Sequence, residues 1–341
     1  MRHELIRTLG WTPPASGKKL QIGTATQRPP FAVHSLPVSR IAHVSDLHVL
    51  SPHGVQLRRV LFNKRLTGFV NLLTKRGRVY RREYLLAALE AARDQADHVV
   101  VTGDITNLSL EGEYEEAVRL LDDVSRTTEV TVVPGNHDIY LPATLRERRF
   151  PHHFSRFMES DLPAHALDLP AGRFPFVKLR GPLAIIGLTT AVPRPPFVSA
   201  GQLGKEQLAA LRTVLAEPEV ARRTPVVLLH HSPFDARLRL SQLQGGLVDA
   251  RALRSALAGL SCGLVLYGHL HERRREALRT GGGTLDAVCA SAAAVDHSDP
   301  RVRSGVNLYA FSPHGTLESM VALVYDPGVS RFVPRPLEVT A

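Results

Sequence analysis

Residues 129–138 read EVTVVPGNHD: a short apolar run that breaks at a proline and a glycine, then presents an asparagine and a histidine. The same pattern recurs along the chain. SRIAHVSDLH (39–48), HVVVTGD (98–104), PVVLLHH (225–231) and CGLVLYGHLH (262–271) each carry an apolar run into a side chain able to hold a metal. A further run, LAIIGLTT (183–190), ends in threonines. Runs of four to eight apolar residues bounded by Gly, Pro or polar residues are the mark of strands buried on both faces. Helix-like stretches fall at 83–96, 113–125, 205–216 and 250–258. Alternation of the two predicts an α/β architecture with buried parallel strands. Ser199 and Asp249 suit helix starts, where a side-chain oxygen accepts from free backbone N–H groups. The last third reads as four further strands, 273–278, 284–291, 305–311 and 317–325, which suggests a second sheet packed on the first.

In open α/β sheets ligands collect beyond the carboxyl ends of the strands. Five sequence-distant segments would therefore bring carboxylate, imidazole and amide groups around one point. The set is Asp46, His48, Asp104, Asn136, the pair His230 and His231, His269 and His271. It contains only oxygen and nitrogen donors, which suits borderline divalent ions such as Mn, Fe, Zn or Co. A lone Asp-x-His is ordinarily a helix cap beside a surface histidine, and a lone Gly-Asp is ordinarily a turn. Five such motifs in order, each at a strand end, have no packing explanation.

The motifs SDLH (45–48), GD (103–104), GNHD (135–138), HHSP (230–233) and GHLH (268–271) resemble those of the calcineurin-like metallophosphoesterase superfamily, over about residues 40–325. The resemblance implies a four-layer αββα sandwich, two mixed sheets between helical layers, with two divalent ions at the strand ends. Carried over residue by residue, Asp46, His48 and His271 would hold one ion. Asn136, His231 and His269 would hold the other, and Asp104 would bridge them. Within the histidine pair, His231 is preferred because it immediately precedes a Ser-Pro turn, which leaves His230 behind the site.

Two ions about 3.5–4 Å apart lower the pKa of a shared water and neutralise a phosphoryl group, so no Ser or Cys nucleophile is required. No GxSxG elbow and no GxxxxGK[ST] loop occurs. His137, beside Asn136, is placed to give a proton to the leaving oxygen. Asp138 is expected to fix loop geometry. Protein phosphatases of the superfamily carry GDxxDRG, whereas this chain has GDITN, with Asn107 where the second Asp would stand. The short form resembles the bacterial branch that includes cyclic-nucleotide phosphodiesterases and UDP-diacylglucosamine hydrolases. The expected substrate is thus a phosphorylated small molecule or lipid headgroup. A nuclease and a catalytically silent scaffold stay as alternatives, the latter weakened because all seven ligand positions are filled.

The 341 residues carry 42 Lys plus Arg against 32 Asp plus Glu, a net +10 that points to an anionic partner. Much of this excess lies between His48 and Asp104. No acidic residue occurs from Val49 to Arg82, while Arg58, Arg59, Lys64, Arg65, Lys75, Arg76, Arg78, Arg81 and Arg82 do. Phe62, Leu66, Phe69 and Leu73 recur at helical spacing within that stretch. A docked helix with solvated charges explains it without function. A basic amphipathic element (about 55–82) gripping an anionic membrane surface or a phosphate ligand explains it with one. Nucleic acid is less favoured, since aromatic residues are sparse. His53, His152 and His153 are candidates to line the cleft. Residues 1–38 and 327–341 read as irregular segments around a domain at 39–326. Cys262 and Cys289 read as buried thiols outside any disulfide framework, which fits a reducing, cytoplasmic setting. No run reaches the ~18 apolar residues of a membrane span, and no secretory signal is read at the N-terminus. Oligomeric state is not legible.

Overall fold

The structure, a computed structural model, describes residues 39–50, 79–236, 238–337 and 339. The expected N-terminal arm, His53 and the basic residues from Arg58 to Arg78, with Phe62 and Phe69, lie outside the described residues.

Among the described residues the first elements are β1 (Ser39–Val44), α1 (Arg82–Gln95), β2 (His98–Val101), α2 (Glu111–Ser125) and β3 (Glu129–Val132). The three strands pair in parallel. Two short helices follow, α3 (Pro142–Arg146) and α4 (Arg149–Phe154), then a ribbon of β4 (Leu167–Leu169) and β5 (Gly172–Phe174). The second half runs β6 (Phe176–Arg180), β7 (Leu183–Gly187), α5 (Lys205–Ala216), α6 (Pro218–Ala221), β8 (Thr224–Leu228), α7 (Arg239–Gly245), α8 (Ala250–Ala256) and β9 (Leu264–Tyr267). It ends with β10 (Arg274–Arg279), β11 (Thr284–Cys289), β12 (Gly305–Phe311), β13 (Leu317–Asp326) and β14 (Arg331–Pro336).

Two six-stranded mixed sheets result, in the orders β14-β13-β12-β1-β2-β3 and β10-β11-β9-β8-β7-β6. Successive strand side chains point to opposite faces, so each buried strand serves two layers. Ile185, Val226, Leu228, Leu264 and Leu266 join the core that includes the first sheet and α1 and α2. Their neighbours Ile186, Val227 and Val265 pack instead with Leu208, Leu211 and Val214 of α5 and Leu253 of α8. This alternation produces the expected αββα sandwich. On the other side, α1 buries Leu85, Ala88, Leu89 and Ala92, a stripe at the helical period. Each fully buried Leu or Val contributes roughly 1.5–3 kcal/mol. At one edge Glu129 of β3 receives Lys178 Nζ (3.1 Å) and Arg180 Nη2 (2.7 Å) from β6, which ties the two sheets together.

Four expectations are corrected. Residues 331–336 are not irregular: β14 pairs with β13 as an edge strand, where Pro334 and Pro336 are tolerated. The C-terminal strands do not form one sheet, because β10 and β11 extend the second while β12 to β14 extend the first. Ser199 starts no helix. Asp249 does precede α8, but its carboxylate accepts from Leu203 N (3.0 Å) and Gly204 N (2.8 Å), at the start of α5. Cys262 is exposed and only Cys289 is buried.

Candidate metal centre

Every candidate ligand follows a parallel strand: Asp46 and His48 after β1, Asp104 after β2, Asn136 after β3, the His230–His231 pair after β8, and His269 and His271 after β9. The loops then lock onto each other. Asp46 N donates to Gly103 O (3.0 Å), His48 N to Asp104 O (2.9 Å) and His269 N to Asp46 Oδ2 (3.1 Å). Nine non-glycine residues among those described have positive φ, and five of them are Asp46, His48, Asp104, His269 and His271. This left-handed conformation costs of order 1 kcal/mol each and clusters where function requires it.

Asp46, His48, Asp104 and His271 place ligand atoms within 4.8 Å of one another, largely out of solvent. His271 Nε2 lies 3.1 Å from Asp46 Oδ1 and 3.2 Å from His48 Nε2. Burial works against the charged form of Asp46, yet His271 outweighs it and holds the carboxyl below its usual range. Behind this group stands Tyr80, which the sequence reading did not single out as a site residue. Its hydroxyl is 3.3 Å from His271 Nδ1 and its ring meets His48 edge-on at 5.2 Å. Tyr80 is anchored by a bridge to Val295.

A second group adjoins the first. His230 Nδ1 donates to Thr102 O (2.7 Å), which turns Nε2 toward Asn136 Oδ1 (3.2 Å) and Asp104 Oδ1 (3.4 Å). His269 Nε2 donates to Gly245 O (2.8 Å), so Nδ1 presents a lone pair 3.0 Å from Asn136 Oδ1. Burial, then the charge of His230, lowers the His269 pKa to about 4, so this imidazole is neutral. Its Nδ1 and Asn136 Oδ1 both turn toward the side of the site where Asp104 lies, as two ligands of one divalent ion would. His230 shows a demand for positive charge: burial opposes protonation, but Asp104 overrides it and raises the pKa to about 9. Asp104 turns Oδ1 to His230 and Oδ2 toward His48 Nε2 (3.9 Å), one oxygen to each group. The donor set therefore fits divalent ions.

The preference for His231 is overturned. His231 Nε2 donates to Ser199 O (2.7 Å) and Nδ1 accepts from the Thr190 hydroxyl (2.8 Å), so both nitrogens are engaged away from the carboxylates. Burial first, then the neighbouring His269 and His230, depress its pKa well below the usual histidine value. Proximity to the Ser-Pro turn said nothing about the direction of the ring.

His137 donates Nδ1–H to the carbonyl of Asn107 (2.6 Å), and its backbone N–H reaches Asp104 Oδ1 (2.7 Å). Its ring meets His48 edge-on at 4.9 Å and stacks on Tyr140. Asp138 is buried and accepts from Gly135 N (2.9 Å), Ile105 N (3.2 Å) and Thr106 N (2.7 Å), binding the second motif to the third as expected. Asn107 enters the site through its carbonyl. Gly135 has no room for a Cβ, which would press into the Asp104 carboxylate. His153 pairs with Glu111 (2.9 Å) and stacks on Tyr114 instead of lining the ligand cluster. Of the basic excess, Arg81 and Arg82 are compensated by Asp296 (3.5 Å) and Glu116 (2.8 Å).

Comparison with known proteins gives concordant results. The family model for calcineurin-like phosphoesterase matches residues 39–273. A probable cyclic nucleotide phosphodiesterase of Rhodococcus erythropolis is 28% identical over 193 residues, 56% of this chain and 56% of that protein. The chain thus matches little more than half the length of that relative. A dimetal phosphatase from Danio rerio superposes with a TM-score of 0.51 at 14% identity, over 89% of this chain and all of that one. A purple acid phosphatase from seeds of yellow lupin, Lupinus luteus, gives 0.51 at 13% identity, over 88% of this chain and 53% of that one. At such identities the two structures speak for the fold alone.

Proposed function

The chain belongs to the calcineurin-like phosphoesterase family, and from that premise we propose that it is a dinuclear-metal phosphohydrolase. The observation that carries the reading is the inward turn of nitrogen and oxygen atoms around Asp104, with a hydrogen-bonded outer nitrogen fixing each of His230 and His269. Asp46, His48 and His271 would hold one ion, Asn136, His230 and His269 the other, and Asp104 would serve both. Bound ions would supply Lewis acidity and a hydroxide nucleophile near neutral pH. The residues of the chain do the rest. The Nδ1–H bond to Asn107 fixes the tautomer of His137, so its proton chemistry falls to Nε2, on the edge turned from that carbonyl. In this role Nε2 protonates the leaving oxygen. The Asp138 carboxylate keeps the Asp104 and Asn136 loops in register.

The substrate class is a phosphodiester, phosphomonoester or pyrophosphate of a small molecule or lipid headgroup. A cyclic nucleotide is supported by the name of the Rhodococcus relative, and Mn or Fe suits the nitrogen and oxygen donors. An anionic membrane surface is a proposed partner on the strength of the basic residues between Arg58 and Arg76, and it would place the protein at the inner face of the membrane. No helix among the described residues is long and apolar enough to cross a membrane. The test is hydrolysis of bis-p-nitrophenyl phosphate by purified protein with and without Mn(II). Metal-dependent turnover that disappears in Asp104→Ala and Asn136→Ala is expected. Absence of turnover, or full activity in those variants, rejects the reading.

A further inference from the structure

Two residues beyond His271 the chain buries an arginine. Arg273 is 8% exposed, and its guanidinium is boxed by neutral oxygens. Nε donates to Asn307 Oδ1 (3.1 Å), Nη1 to Pro300 O (2.8 Å), and Nη2 to Ser291 Oγ (2.7 Å) and Arg303 O (3.4 Å). Its backbone N–H adds Arg301 O at 2.7 Å. None of these partners is a carboxylate. A guanidinium keeps its charge at every working pH and is costly to bury, so its place here is explained by what it connects. Four side-chain hydrogen bonds for five N–H groups leave little to offer a substrate phosphate.

The acceptors all lie on residues 291–307, and that segment also seats Tyr80. Ser304 N donates to Val295 O (2.8 Å) and Ser304 Oγ to Ala293 O (2.5 Å). Val295 bridges Tyr80, with Arg81 N to Ala294 O (2.7 Å) and Asp296 N to Val79 O (2.8 Å) on either side. Tyr80 in turn sets its hydroxyl 3.3 Å from His271 Nδ1. The connections close a ring. From His271 it runs along the chain to Arg273, through the guanidinium to Arg303 and Ser304, across to Val295, and over the bridge to Tyr80. The same segment reaches the first motif, since Ala293 N donates to Ser45 O (3.0 Å), next to Asp46. A Cβ on Gly305 would strike Arg273 Nη2, so the backbone there closes directly on the guanidinium.

We propose that Arg273 is a positioning residue for the Asp46, His48 and His271 half of the metal centre. Its forked donors fix the segment that seats Tyr80, and so set the gap between the Tyr80 hydroxyl and His271 Nδ1. Lysine would keep the charge but lacks the planar fork that reaches several oxygens at once. This rests on the dinuclear phosphohydrolase reading and adds a residue to it.

The experiment is calorimetric titration of the metal-free, full-length protein with Mn(II), beside its melting temperature. Arg273→Lys is expected to weaken one of two Mn(II) sites at least about tenfold and to leave the other within about twofold of the parent. In a Tyr80→Phe background the same substitution should cost less than about twofold, because the contact it serves is already gone. Unchanged Mn(II) binding in Arg273→Lys, whatever its melting temperature, overturns the proposal and leaves the phosphohydrolase reading standing. So do losses that multiply in the double variant, and so does equal weakening of both sites, the mark of a general loosening. A parent that binds fewer than two Mn(II) ions overturns the dinuclear reading together with the proposal. If Arg273→Lys does not fold, Ser291→Ala carries the test, since it deletes only the hydroxyl between Arg273 and Arg303 O. A loss of Mn(II) affinity that Tyr80→Phe absorbs supports the role, and unchanged affinity rejects it.

Discussion

His230 and His231 are adjacent in sequence, with ring centroids 5.0 Å apart and planes perpendicular, and only His230 turns a nitrogen toward Asp104. His231 spends its two nitrogens on Thr190 and Ser199. One ring therefore faces the Asp104 carboxylate, and the other clamps two loops together.

The first prediction separates them. His230→Ala should remove bound Mn(II), measured by elemental analysis after gel filtration, and abolish phosphodiester hydrolysis. His231→Ala leaves two buried partners unsatisfied and should cost about 1–3 kcal/mol of stability in denaturant titration. Its metal stoichiometry should change far less. Equal metal loss in both would show that the two rings share the ligand role.

Tyr80 supplies a second test. A group that hydrogen-bonds the outer nitrogen of a metal-bound histidine sets its ring orientation and basicity, and removing it typically lowers metal affinity 10–100-fold. Tyr80→Phe keeps the ring against His48 and deletes only the hydroxyl beside His271 Nδ1. Calorimetry should show weaker Mn(II) binding with an unchanged melting temperature of the metal-free protein. Unaltered affinity would reduce Tyr80 to packing.

Gly135 offers a third. A Cβ there would collide with the Asp104 carboxylate and with the Asp104 backbone nitrogen, which cannot swing aside. Gly135→Ala should displace Asp104 and lower activity by more than tenfold. Crystals or NMR of a fully active Gly135→Ala protein would disprove the close approach.

Acid stability is the fourth. His98 is buried on β2 with Nε2 2.7 Å from the Thr131 hydroxyl, and burial lowers its pKa to about 3. Glu129 is held at about 2: burial opposes ionisation, but Arg180 and then His98 and Lys178 override it. Both folded pKa values lie below those of the unfolded chain, so the unfolded state binds more protons in acid. The stability from His98 is present above about pH 6.5, and that from Glu129 above about pH 4.5. Both fall away as the pH drops toward about 3 and 2. Melting temperature should therefore decline from neutral pH downward, less steeply in His98→Asn than in the parent.

The strands and the polar side chains that gather at their ends were legible because each buried strand is a short apolar run and each candidate ligand follows one. The sandwich itself came from the family resemblance, and β10 to β14 were misassigned because pairing partners are not written in any single segment. The choice between His230 and His231 failed for a related reason. A ring's direction depends on which distant carbonyl takes its N–H, here Thr102 for one and Ser199 for the other. Tyr80 was not read as a site residue because nothing in the sequence places it near His271. Helix α7 was missed because its leucines have no buried periodicity to betray it.

The left-handed backbone of five candidate ligand residues has a consequence for how this protein would respond to selection. Glycine accepts such φ values without penalty, and asparagine does so better than histidine. Replacing His48, His269 or His271 by either residue relieves backbone tension at the moment it destroys the chemistry. Stability and activity are thus opposed at these positions. A screen that rewarded heat resistance alone would accumulate such replacements and converge on a sturdier, inert relative of the enzyme.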